Sequence, residues 1–173
     1  MAEIFSHPFR LTHLKDAKLQ IEVAADARSR TALAALYGLP ALAALRGIFT
    51  LERGAGGIIA ARLRLHAELT QTCVVTLEPF ASVIEETAAL AFVPAARIPE
   101  GEDAGELTAE TLEGPDEIPY AGESIDLGAA LAEQLALALD PYPRRPGVVL
   151  PAAADDASGH PFALLAARKA DPG

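Results

Sequence analysis

Cys73 is the sole cysteine of the chain, and a lone thiol becomes a nucleophile when a histidine can take its proton. The candidate partner, His66, sits on the opposite parity of the same alternating stretch, so on a regular strand the two side chains leave opposite faces. Cys73 shares its parity with Leu69, Val75 and Leu77, which predicts a buried, inert thiol whose pKa is raised by its surroundings. A zinc centre asks for about four Cys, His or carboxylate ligands in close-spaced pairs. Cys73, His7, His13, His66 and His160 offer no such pair, and no metal or other cofactor is expected. The carboxylate pairs Glu85-Glu86 and Asp155-Asp156 point to opposite sides of a strand or lie in a loop, without the convergence that acid and base roles demand. Gly54-Ala55-Gly56-Gly57 leads into a strand rather than a helix, so no helix N-terminus waits there for a phosphate. No catalytic residue emerges, and the expectation is a protein that is not an enzyme.

The residues suited to binding are basic. Arg62, Arg64 and His66 alternate along one face of a strand, and Arg46 falls across a hairpin from them, a pattern that suits either a solvated charged face or a surface for RNA or an anionic partner. Stacking of unpaired bases would need aromatic platforms beside them. Tryptophan is absent, and Phe49 and Tyr37 read as core. A net charge of −10 opposes phosphate binding, yet its distribution is uneven. Glu100, Glu102, Asp103, Glu106, Glu110, Glu113, Asp116 and Glu117 lie in one segment, and without those eight the −10 falls to about −2. Between Asp26 and Arg64, in contrast, six arginines face only Asp26 and Glu52.

These residues need elements to hold them. Leu19, Ile21, Val23 and Ala25 alternate with polar residues, the period of a half-buried strand. Asp26 can cap a short helix bearing Leu33, Leu36 and Tyr37, which Gly38 and Pro40 stop. Leu45, Phe49 and Leu51 form a second strand, and Arg53 to Gly57 supplies a hairpin turn. The return arm keeps one parity from Leu63 to Leu77; at about 3.3 Å per residue that length exceeds a compact domain, so it must bend, coil or break before Pro79 ends it. Val83 to Val93 reads as a further strand. Asp126 can cap a second helix in which Leu127, Leu131 and Leu135 repeat, ending before Pro141. The predicted fold is α+β: a curved antiparallel β-sheet of four or more strands, barrel-like in the limit, with two main helices and an extended C-terminal tail. Residues 1–145 are expected to form a single domain with an acidic loop at 99–118, and 146–173 a Pro/Ala-rich tail with a short docking helix at 161–169. No apolar run reaches the roughly 18 residues of a spanning helix, and a soluble, cytoplasmic protein without a membrane partner is expected.

Two motifs stand about fifty residues apart: Gln71-Thr72-Cys73-Val74-Val75-Thr76-Leu77-Glu78-Pro79, and Ile125-Asp126-Leu127-Gly128 running through Glu133-Gln134-Leu135 to Asp140-Pro141-Tyr142-Pro143-Arg144. Together with the closing Pro161-Phe162-Ala163-Leu164-Leu165, they resemble the YceD-like family of bacterial proteins. The resemblance implies a role in accumulation of the large (23S) ribosomal RNA. It also implies significance for Gln71, Cys73, Thr76, Leu77, Glu78, Pro79, Asp126, Gly128, Glu133, Asp140, Pro141, Tyr142, Pro143 and Arg144. Some members of that family carry further cysteines suggesting a metal; this chain has Thr76 and the Pro141 to Pro146 segment at the corresponding places. The function expected is a non-enzymatic ribosome-biogenesis factor binding a ribosomal RNA precursor or a large-subunit ribosomal protein, with no DNA partner. The alternatives are a small-ligand-binding β-barrel and a thiol-dependent hydrolase using Cys73.

Overall fold

The computed structural model describes residues 4–15, 17–97 and 114–149. At its centre β3 (Ala41–Arg53) and β4 (Ile59–Thr72) form the expected hairpin. Alternation explains why: Leu45, Phe49, Leu51, Leu63, Leu65 and Leu69 are all buried on one face, while Arg46, Arg62 and Arg64 are exposed on the other. Strands of this pattern bury every second side chain and cannot slip by one residue without turning their arginines into the core. The turn between them needs glycine, since Gly56 and Gly57 have φ of 66° and 83°. Their carbonyls are also used, accepting from Arg97 Nη1 and from the Tyr120 hydroxyl.

β2 (Leu19–Ala24) pairs antiparallel with β3, and α1 (Ala27–Leu36) links the two, capped by Asp26, whose Oδ1 accepts from the Ser29 amide at 2.7 Å. β5 (Pro79–Pro94) runs antiparallel along all of β4. β6 (Asp116–Tyr120) then joins β5 in parallel. The five-stranded order β2-β3-β4-β5-β6 is linear, so the sheet stays open and does not close into a barrel.

Two expectations need correction here. The stretch from Leu63 to Leu77 breaks, one of the outcomes its length allowed, with β4 ending at Thr72; but Pro79 does not end that strand, it opens β5. The chain reverses through Cys73 to Glu78, with the Cys73 amide bonded to the Glu78 carbonyl at 2.9 Å and the Leu77 amide to the Cys73 carbonyl at 2.8 Å. Leu77 takes a φ of 59° to make that reversal. The acidic stretch does not run to residue 118 as a loop, because Asp116, Glu117 and Ile118 belong to β6. Asp116 accepts from Gln134 Nε2 at 3.1 Å, which ties β6 to the helix below it. Residues 98–113 and the expected docking helix at 161–169 lie outside the described residues.

That helix, α2 (Leu127–Ala138), covers the apolar face of the sheet with Leu127, Ala130, Leu131, Gln134 and Leu135 buried. It comes close at Gly47 of β3, where an added Cβ would stand 2.8 Å from Leu131 Cδ1. A second sheet, not anticipated from the sequence, pairs β1 (Pro8–Arg10) with β7 (Ser124–Asp126), Phe9 opposite Ile125. Asp126 works on both sides of this junction. Its Oδ1 accepts from the amides of Gly128 and Ala129, which caps α2, and from the His7 amide at 2.8 Å; its Oδ2 takes the Ser6 hydroxyl at 2.5 Å. Burial opposes its charge, but the Ser6 hydroxyl and the amides of His7, Ala129 and Gly128 outweigh it and hold the carboxyl below its ordinary 3.8.

Gly128 is a glycine for a steric reason: a Cβ would lie 2.6 Å from the His7 nitrogen and 2.8 Å from the Ser6 carbonyl carbon, both backbone atoms. Gly128→Ala is therefore expected to lose about 1–3 kcal/mol by overpacking. The check is urea denaturation, which should show a lowered midpoint with an unchanged slope.

Candidate functional site

The outer face of the sheet, away from α2, carries the basic residues. Cross-strand register sets Arg46 opposite His66, Ile48 opposite Arg64 and Thr50 opposite Arg62. The next strand continues each row, with Glu85 opposite His66, Thr87 opposite Arg64 and Ala89 opposite Arg62. Arg46, Arg64 and His66 thus meet in one shallow cleft of about 630 Å³, whose wall also includes Glu22, Glu85 and Glu86. Arg62 belongs instead to a neighbouring trough of about 670 Å³, floored by small residues such as Thr50, Ala60 and Ala89.

The face is not uniformly basic. His66 is bracketed by two carboxylates, Nδ1 lying 3.3 Å from Glu85 and Nε2 3.3 Å from Glu68. The Lys18 ammonium is matched by Glu52 at 3.1 Å. Arginines set among carboxylates can recognise a partner of mixed charge as readily as a phosphate backbone. No aromatic ring occupies the outer positions of β2 to β5 among the described residues, and Phe49 is wholly buried on the inner side.

The two motifs meet at the other end of the molecule's helix. The loop Cys73–Glu78 packs on the segment after α2: the Val74 amide donates to the Pro143 carbonyl at 2.9 Å, and Arg145 Nη1 pairs with Glu78 Oε2 at 2.8 Å. Asp140 Oδ1 accepts from the Tyr142 amide at 2.8 Å, turning the chain immediately after the helix. Gln71 is buried at the end of β4, Thr76 Oγ1 faces the Glu78 amide, and Glu133 and Arg144 are exposed. Asp126 and Gly128 are not part of this corner. They lie at the start of α2, one helix length, about 18 Å, from its end.

Cys73 is fully buried, as its parity requires, but its acidity is opposite to expectation. The nearby Arg145 amide favours the thiolate most; burial opposes ionisation; the Thr76 hydroxyl and the amides of Thr76 and Val75 add to the first effect, pulling the thiol down from 9.0 to about 6. A turn that aims several N–H groups at one sulfur favours the thiolate. His66 is not brought to it, being held on the outer face by Glu68 and Glu85. Among the described residues no three His, Cys, Asp or Glu side chains converge as a metal site. A single sulfur does not make a zinc ligand set.

Stability should follow that thiol. With a folded pKa of about 6 against an ordinary 9.0, its contribution is absent below pH 6, grows between the two values and is complete above pH 9. Urea denaturation of the wild type and Cys73→Ala across that range should show a gap that widens with pH, superimposed on a constant packing loss. A gap independent of pH would mean a neutral thiol throughout.

Sequence reasoning missed three features of this corner. Tyr142 is 71% exposed and Leu77 is 77% exposed, although an outward-facing tyrosine between two prolines after an Asp carries a legible turn signal. Arg145, which supplies both a backbone donor and an ion pair, carries none.

Residues 61–160 match the model of a family described as Large ribosomal RNA subunit accumulation protein YceD. The match covers more than half of the 173 residues and includes both motifs. No curated protein and no solved structure matches the chain.

Proposed function

Because this chain belongs to the family of large ribosomal RNA subunit accumulation proteins YceD, we propose that it is a non-enzymatic factor supporting accumulation or maturation of large-subunit ribosomal RNA. It does so by binding a precursor of that RNA or a large-subunit protein. The observation that carries the reading is the extent of the family match, which takes in Gln71 to Pro79 and Asp140 to Arg144, segments that fold against each other. The outer face bearing Arg46, Arg62, Arg64 and His66 is a second contact surface in this reading, available to phosphate through its arginines.

The test is the ratio of large- to small-subunit ribosomal RNA in cells depleted of the protein. A selective fall in the large RNA, restored by the wild-type chain, is expected; an unchanged ratio overturns the reading. Arg62→Glu combined with Arg64→Glu should weaken association with precursor particles while leaving the melting temperature unchanged, since both side chains are solvent-exposed. If phosphate contacts are involved, the association constant should fall steeply with salt. A complex that survives moderate salt assigns the contact to protein.

A further inference from the structure

A groove of about 390 Å³ lies where the end of α1, the end of α2 and the proline-rich segment come together, lined by Tyr37, Leu39, Ala136, Leu139, Pro141 and Pro143. Its walls are fixed. The Tyr37 hydroxyl donates to the Ala132 carbonyl at 2.8 Å, the Pro143 carbonyl accepts from Val74, and Asp140 Oδ1 accepts from the Tyr142 amide. Asp140 Oδ2 has no hydrogen-bond partner among the described residues. Glu133 lies one turn before Ala136 on the same side of α2, and it stands near enough to Tyr37 that, after burial, its charge is the second cause raising that hydroxyl's pKa. No lysine or arginine lines the groove. Both family motifs reach this place, through Gln71 of the first and Asp140, Pro141 and Pro143 of the second.

We infer that this groove is the docking site for a basic, extended protein segment that inserts an apolar side chain between Tyr37, Leu139 and Pro143 and sets a lysine or arginine against Glu133 and Asp140. The inference rests on the reading above and names the partner surface within it. Charge complementarity selects the occupant: Asp140 stands in a wall of mixed apolar and polar residues, Glu133 lies one turn along α2, and no lysine or arginine is among the lining residues, so the groove favours a basic peptide over a phosphate backbone. Rigid walls suit it to receive a segment that orders on binding.

The test uses the full chain and a fluorescein-labelled, capped peptide, Lys-Lys-Leu-Lys-Lys-Leu-Lys-Lys, followed by fluorescence anisotropy. Two control peptides replace Leu by Ser or Lys by Glu. The labelled peptide should bind the wild type at least about tenfold more tightly than either control. Ala136→Arg, an exposed helix position that would fill the groove with a positive side chain, and Glu133→Lys should each weaken binding by about tenfold or more. Unchanged melting temperatures would show that neither variant disturbs the fold. Equal affinity of both variants and the wild type overturns the inference, as does equal binding of the serine peptide. A uridine oligonucleotide that displaces the peptide from the wild type would assign the groove to RNA and overturn it as well. Depleted cells separate the two readings. If wild type and Ala136→Arg restore the large RNA equally, the groove inference falls and the family role stands. If depletion leaves the ratio unchanged, the role falls, and the peptide titration still decides the groove.

Discussion

Asp126→Ala is expected to lower stability by about 2–4 kcal/mol. The cap on α2 accounts for about 1 kcal/mol of that, and the amide of His7 and the hydroxyl of Ser6 each lose a charge-assisted acceptor worth more than a neutral one. Against a total of about 5–15 kcal/mol for a domain, the loss is large for one half-buried carboxylate. Urea denaturation measures it, and hydrogen exchange at His7 should report the release of the first strand. Asp126→Asn, which keeps an oxygen acceptor, should lose less. The effect has a pH signature, because the folded carboxyl titrates below its ordinary 3.8. Its stabilisation is complete above that value and is lost as pH falls through the folded pKa. The gap between wild type and Asp126→Ala should therefore narrow in acid, and a gap that persisted there would mean that the charge contributes nothing.

The second large effect is expected at Phe49, the bulkiest of the wholly buried side chains together with Phe92. Phe49→Ala removes a ring from between α2 and the sheet, where Ile21 and Leu63 are its cross-strand neighbours, at a cost of about 3–5 kcal/mol. The result would also settle what the aromatic residue of the arginine-rich hairpin is for. If Phe49 were a platform for bases, its loss would weaken association and spare stability. The core position predicts the reverse: thermal unfolding at lower temperature, with association reduced only in proportion to the unfolded fraction.

What was legible in the sequence is what local periodicity encodes. The Leu45 to Glu52 alternation, the Leu63 to Leu77 alternation as far as Thr72, the glycine turn between them and the caps at Asp26 and Asp126 all follow from side-chain type at fixed spacing, and each stands in the structure. That the break falls at Cys73 was not legible. Parity continues unbroken through the turn, and a leucine at a φ of 59° announces itself by nothing in its type. The pairing of Pro8 to Arg10 with Ser124 to Asp126 was invisible for another reason: strands this short hold no period, and their register depends on a contact made across most of the chain. The parallel placement of β6 came from the same kind of distant pairing, in a segment whose composition argued only for a charged loop.

The candidate site divides the same way. Arg46, Arg62, Arg64 and His66 were assigned correctly to one face, because strand geometry alone puts them there. The carboxylates among them, Glu22 and Glu85, come from neighbouring strands, and only the strand order reveals that they dilute the positive field. The acidity of Cys73 was misjudged because its cause is backbone: amides of Val75, Thr76 and Arg145 aimed at sulfur, donors that every residue type other than proline supplies.

Ser6 and Asp126 share a hydrogen bond across a separation of 120 residues. During translation at about 5–20 residues per second, Ser6 and His7 precede their acceptor by about 6–24 seconds. The hairpin of β3 and β4, joined by a short glycine turn, has no such wait. The seam at β1 and β7 therefore has a long wait between its two halves, and for that interval the donors of Ser6 and His7 must be satisfied by water or by whatever else meets the emerging polypeptide.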